Sequence, residues 1–436
     1  MVIFLDTSFT QSLIYSLTVV MAIIKPFKGL RPPKNIIEEL ACLPYDVMNT
    51  KEAARMAEGK EKSLLRVTRA EIECPDVNDI HSEEVYKKAV ENFKKFQQKE
   101  WLTQDAKDRY YIYAQTMNGR TQYGIVGAAA CSDYENGIIK KHELTRPEKE
   151  DDRMLLTRYL DANIEPVFFA YKAVPDIDRI VEKVVKNNPP EYDFTAEDGF
   201  GHHFWVINSE ETNQEIEKLF IEKVPFTYVA DGHHRTAAAA RVGLEKTKQN
   251  PNHTGKEEYN YFMAVHFPDN QLQIIDYNRV VKDLNGLSDS DFLAKASEGF
   301  EVVNMGTEIC KPGKLHEFSL YLSGNWYRLT AREGTFDDAD PIGVLDVTIL
   351  SKQILEPVLD IKDLRTSKRI DFVGGIRGLE ELKRRVDSGE MKAAFALYPV
   401  SMQQLINIAD TGNIMPPKTT WFEPKLRSGL VIHLLG

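Results

Sequence analysis

The chain has 436 residues, of which 42% are hydrophobic and 28% charged, with 55 Lys and Arg against 66 Asp and Glu. This is the make-up of a folded globular protein with chain enough for two or three domains, and it excludes disordered, collagenous and coiled-coil classes. A net charge of −11 argues against a broad basic face for nucleic acid.

The four cysteines (Cys42, Cys74, Cys131, Cys310) lie far apart with no C-x-x-C pair. They predict reduced thiols and a cytoplasmic setting, with neither a disulfide framework nor a zinc ribbon. Residues 1–24 are mostly apolar, but Asp6 stands where a signal peptide carries positive charge, and no Lys or Arg precedes Lys25. Asp6, Thr10, Gln11 and Ser16 also interrupt the run, so it makes a poor membrane span. The reading is a non-structural extension, residues 1–20, ahead of a start at Met21, with no membrane partner.

In chain order, Lys34 to Leu43 and Lys51 to Glu58 carry helical patterns, separated by LPYDVMN. Val85, Ala89, Val90, Phe93 and Phe96 recur at helical spacing between Ser82 and Gln98. Strands Arg109 to Met117 and Gln122 to Cys131 form a hairpin across Asn118-Gly119. A third strand runs from Gly137 to His142. The next helix begins at Pro147, with Glu148, Glu150, Asp151 and Asp152 at its positive end.

Strands over 166–172, 203–207 and 226–230 then alternate with helices over 177–186, 215–223 and 233–242. Tyr259 to Phe267 and Gln271 to Tyr277 are expected to pair as a hairpin across Pro268-Asp269-Asn270. From about 285 a new unit holds the hairpin Glu317 to Arg332, a helix from Val347 to Leu355, strand 370–373, helix 379–386, strand 392–398, helix 402–409 and a last strand, 429–435. The fold class is mixed α/β, divided into 21–121, 122–285 and 286–436.

Three segments carry chemistry. In FTYVADGHHRTAAAARVG, Phe226 to Gly243, an apolar strand reaches Asp231-Gly232 and an Ala-rich helix starts at once. The free N–H groups of the new helix, with His233, His234 and Arg235, suit a phosphate. Asp231 is the candidate metal ligand, for a Mg²⁺ bridging phosphate oxygens. Asp N-capping with solvated histidines is the plainer reading, but two His and one Arg beside a small-residue helix favour the anion site.

In KKHELTRPEKEDDR, Lys140 to Arg153, Glu143 falls at a strand–helix junction. There it could act as general base toward a hydroxyl, with His142 or Arg146 steering charge; a solvated charged turn is the alternative. In IMPPKTTWFEPKLRSGL, Ile414 to Leu430, three prolines forbid a helix. Lys418, Thr419, Thr420, Lys425, Arg427 and Ser428 then sit in a rigid loop able to grip a phosphate or carboxylate, a plain connecting loop being the alternative. His202-His203 could join His233-His234 around a metal, but no ligand spacing supports this. Gly374-Gly375 reads as a turn rather than a phosphate loop, and Trp326 and Tyr110 to Tyr113 as core.

Together these segments resemble the free-serine kinases of the ParB/sulfiredoxin superfamily, in which a D-G-H-H-R motif binds nucleotide phosphate, a His-Glu pair supplies the catalytic glutamate and a P-K-T-T loop completes the site. The chain from Met21 on also resembles the DUF1015 family, through KPFKGLRPP, LPYDVMN, RIDFVGGIRGLEELKRRVDSGEM and PPKTTWFEPKLRSGL.

The resemblance implies a ParB/sulfiredoxin-like core over 122–285 and a phosphotransferase interconverting L-serine and O-phosphoserine with Mg²⁺ and ADP or ATP. Glu143, His142 and Asp231 would be catalytic. Gly232, His233, His234, Arg235, Thr236, Lys418, Thr419 and Thr420 would hold nucleotide or phosphate, and Arg146 the serine carboxylate. A phosphoserine phosphatase and a non-catalytic nucleotide-sensing module are the alternatives. Sulfinic-acid repair is disfavoured because His233 stands where that chemistry needs Cys, and no helix-turn-helix accompanies the motif.

Overall fold

The computed structural model describes residues 21–436, which form a mixed α/β fold around two large sheets. The expected extension over residues 1–20 lies outside the described residues. Ala22 and Ile24, at the end of the apolar run, are buried, and Ile24–Lys25 pairs with Arg120–Ala130. No helix among the described residues is long and apolar enough to cross a membrane.

The first sheet has nine strands. From one edge they run Ile139–Lys140, Thr227–Asp231, Val167–Tyr171, Tyr261–Pro268, Arg120–Ala130, Tyr111–Met117, Gly201–Val206 and Tyr192–Thr195, with Ile24–Lys25 as an added partner of Arg120–Ala130. Two of its pairings are parallel, and both flank the candidate motif: Thr227–Asp231 with Ile139–Lys140, and Tyr261–Pro268 with Val167–Tyr171. The Asn118-Gly119 turn forms as expected, with Met117 opposite Arg120 and both turn residues at positive φ.

The second sheet is antiparallel throughout, in the order Phe300–Gly306, Asn325–Ala331, Glu317–Leu322, Ala393–Leu397, Tyr277–Val281, Ile370–Gly374. One continuous apolar core joins the sheets, including Phe168 and Val265 of the first and Leu320 and Phe395 of the second. Phe422, 2% exposed, packs its ring 5.5 Å from that of Phe168.

Several expectations need correction. Tyr261–Pro268 does not form a hairpin with the segment after it. Asp269–Gln271 is a 3-10 turn, after which Ile274–Ile275 pairs with Trp421–Phe422 and Tyr277–Val281 enters the second sheet. Pro268 ends the strand, and the apolar residues that follow pair with partners distant in sequence. The strand expected over 137–142 is only Ile139–Lys140, so His142 and Glu143 lie in the loop beyond it. The last strand shrinks to His433–Leu434. Residue 121 lies within the strand Arg120–Ala130, and Tyr277–Val281 belongs to the second sheet.

The motif helix, His233–Gln249, is held by small-residue contacts. Ala239 and Ala240 meet Phe169, Val229 and Phe262 of the first sheet, while Ala238 and Val242 meet Met154 of the helix Pro147–Leu160. At Gly243 a Cβ would stand 2.5 Å from the Tyr259 carbonyl oxygen and 2.7 Å from Cys131 Sγ. Helix propensity favours Gly243→Ala by about 1 kcal/mol, whereas the overpacking costs about 1–3 kcal/mol. The variant is expected to lower the urea midpoint; a raised midpoint would show that the helix is free to lift off the sheet.

Candidate active site

Asp231 ends a buried strand, and Gly232 takes φ +92° before the helix starts at His233. That left-handed residue turns the chain tightly, and its carbonyl accepts from the Thr236 N–H at 2.9 Å and the Thr236 hydroxyl at 3.0 Å. A Cβ on Gly232 would stand 3.1 Å from the Arg235 guanidinium. Arg235 therefore folds back under the turn, donating to the Pro166 carbonyl and, at 3.2 Å, to Asp231 Oδ2.

Lys425 Nζ approaches the other Asp231 oxygen at 3.4 Å and lies 4.7 Å from the centre of the Trp421 ring. Burial pushes the Asp231 carboxyl up, but Lys425 and Arg235 outweigh it and hold the group below its usual range.

The turn opens onto a cleft of about 440 Å³ between the two sheets. Of the candidates, Glu143, Asp231, Gly232, His233, His234, Arg235, Lys418 and Thr420 line it. Residues about 275 positions apart thus meet. Burial raises the Glu143 carboxyl above its usual range, against the opposing pull of Lys418. Glu143 Oε2 is 3.9 Å from His233 Nδ1. His142 lies beneath, with Nε2 3.3 Å from the Thr420 hydroxyl and its carbonyl accepting from the Met415 N–H at 2.8 Å. His234 Nε2 accepts from the Arg146 N–H at 3.0 Å, fixing the Glu143 loop to the helix start.

Two expected ligands do not face the cleft. Thr236 is fully buried with its hydroxyl on Gly232, and Thr419 donates to the Pro416 carbonyl at 2.6 Å. Both hydroxyls bond local backbone and hold the turns that present their neighbours. Arg146 lines a neighbouring cavity of about 420 Å³ with Lys149 and Arg365, and Glu143 and Lys418 border both spaces. The other histidine pair is engaged elsewhere: His202 bonds the Tyr113 hydroxyl at 2.7 Å, and His203 bonds Asp193 at 2.8 Å.

Sequence reasoning missed Tyr45, Asp46 and Arg377 as cleft residues, while Lys425, expected in the anion-gripping loop, does line the cleft. Tyr45-Asp46 sits inside LPYDVMN, which reads as a turn, and Arg377 follows the Gly374-Gly375 pair. That pair serves close packing, since a Cβ on Gly374 would stand 3.0 Å from the Trp421 ring. Arg279 was also missed. Its guanidinium is buried, and burial pushes it down to about 10, still cationic at neutral pH. It donates to the Tyr277 carbonyl and, at 2.8 Å, to the carbonyl of Lys418, itself at φ +61°.

Among curated proteins no relative matches the chain. Among solved structures it is similar to a free serine kinase in complex with AMP, at 13% identity over 71% of this chain and 91% of that one, with a TM-score of 0.32. It is also similar to a conserved hypothetical protein from Pyrococcus furiosus, at 14% identity over 70% and 95% with a TM-score of 0.33. SbnI with a C-terminal truncation, from Staphylococcus aureus, matches at 10% identity over 71% and 87% with a TM-score of 0.38. Likenesses this distant assign no activity. The family described as a protein of unknown function (DUF1015) matches residues 24–348, from the first core strand into the helix Asp346–Leu350, and the chain belongs to that family.

Proposed function

We propose that the chain is a nucleotide-dependent phosphotransferase that interconverts L-serine and O-phosphoserine on a ParB/sulfiredoxin-like core. One observation carries the reading: Glu143 borders the same cleft as the Asp231–Arg235 turn and Lys418. Phosphoryl transfer needs chiefly positioning and charge stabilisation. The turn offers helix N–H groups and His234 to a phosphate, and Lys418 and Thr420 face them from the C-terminal loop.

In the forward direction Glu143 accepts the proton of the serine hydroxyl as its oxygen attacks the terminal phosphorus and the bond to the nucleotide breaks. A carboxyl raised above the usual range is a stronger base than an ordinary glutamate. Arg146, Lys149 and Arg365 of the neighbouring cavity suit the substrate carboxylate. Asp231 is the residue that would hold Mg²⁺. Its two oxygens have only long contacts to Lys425 and Arg235, which leaves lone pairs free, and the ion would neutralise phosphate charge. The four unpaired thiols suit a reducing, cytoplasmic compartment.

Purified chain with L-serine, Mg²⁺ and ADP or ATP is expected to yield O-phosphoserine by ³¹P NMR, and Glu143→Gln to reduce the rate roughly 10²–10⁴-fold. No turnover in either direction with any nucleotide would refute the proposal. The acidic limb of the pH–rate profile should lie above the usual glutamate range. Because Lys418 holds the Glu143 carboxyl down, Lys418→Met should move that limb to higher pH. A limb that stays in place or moves to lower pH would dissociate Lys418 from the base.

A further inference from the structure

Two imidazoles lie buried side by side beneath the cleft. His142 is 1% and His233 7% exposed, and their ring centres are 4.5 Å apart with planes at 86°. His142 Nδ1 and His233 Nε2 have no hydrogen-bond partner among the described residues. The other two nitrogens have only weak contacts, 3.3 Å to the Thr420 hydroxyl and 3.9 Å to Glu143 Oε2. Buried polar groups left in this state are costly unless something satisfies them.

A donor atom from each of His142, Glu143 and His233 lies within 4.8 Å of the other two.

We propose that His142, Glu143 and His233 form a binding site for a divalent transition metal ion of the zinc, cobalt or manganese type. Two imidazole nitrogens and one carboxylate oxygen are a donor set that such ions accept, whereas Mg²⁺ prefers oxygen alone. Donors about 2.0–2.2 Å from a shared ion stand roughly 3–3.6 Å apart. The half-exposed Glu143 side chain can turn to shorten its own distances to the two imidazoles.

Both histidines are held by backbone: His142 through its carbonyl bond from Met415, and His233 as the first residue of a long helix. Three protein ligands leave a coordination position open toward the cleft. The site is separate from the Mg²⁺ assigned to Asp231, and it does not depend on the phosphotransferase reading.

The test uses the full chain stripped of metal by a chelator, with neither nucleotide nor serine present. Co²⁺ is titrated in by visible absorption and Zn²⁺ by equilibrium dialysis. One equivalent of each is expected to bind, with Co²⁺ bands that persist in excess Mg²⁺. Glu143→Gln and His233→Asn are expected to lose the uptake, while His203→Asn, at the other histidine pair, retains it. Circular dichroism confirms that each variant is folded; Glu143→Gln alters a half-exposed position and carries the test if His233→Asn does not fold. Uptake short of one equivalent, displacement by Mg²⁺, or unchanged uptake in Glu143→Gln would overturn the site. No phosphoryl donor enters the readout, so failure here leaves the phosphotransferase proposal intact, and absence of phosphoserine leaves the metal site intact.

Discussion

The cleft depends on how the C-terminal loop is clamped between the two sheets. Trp421–Phe422 pairs with Ile274–Ile275, the Phe422 ring packs against Phe168, and the Trp421 ring meets Tyr277 edge-on at 4.9 Å. Between these apolar contacts, Arg279 donates to the Lys418 carbonyl from the second sheet. A buried guanidinium with no carboxylate partner is costly, and its hydrogen bonds to carbonyls offset that cost. Were the loop to shift, Arg279 would lose an acceptor and Lys418 would leave the mouth of the cleft.

Around that clamp the charges are arranged in opposed sets. Asp231 is flanked by Lys425 and Arg235, which hold its carboxyl below the usual range. Glu143, by contrast, keeps a raised carboxyl because Lys418 only partly offsets its burial. Two carboxylates in one cleft thus have opposite displacements from ordinary acidity, set by whether neighbouring cations outweigh burial at each. The protein's net charge of −11 has no bearing on this, since the local balance is decided within a few ångströms.

Local signals in the chain were legible where the physics is local. The Asn118-Gly119 turn, Pro147 at a helix start and the strand–Gly232–helix junction were all readable because each rests on the φ preference of a neighbouring residue. The hairpin expected after Pro268 failed because alternation shows that a segment is a strand without naming its partner; Ile274–Ile275 pairs with a segment almost 150 residues away. The same limit applied to the cleft. Asp231 to Arg235 could be singled out by composition, but Arg279 looks like any strand residue, and its role appears only once Lys418 is beside it. Thr236 and Thr419 resembled ligands because a hydroxyl in a motif does not reveal which way it turns.

The bond between the Met415 N–H and the His142 carbonyl joins a loop of the first sheet to a segment about 270 residues further along the chain. Chains emerge from the ribosome N-terminus first, and domains fold as units in that order. The first sheet's strands are complete by Pro268, so that sheet has its full complement while the loop carrying Lys418 and Thr420 is still unmade. A nascent chain therefore exposes the Asp231–Arg235 turn before its cleft has a far wall. Competence arrives only once the loop carrying Lys418 and Thr420 has been made, long after the turn that it faces.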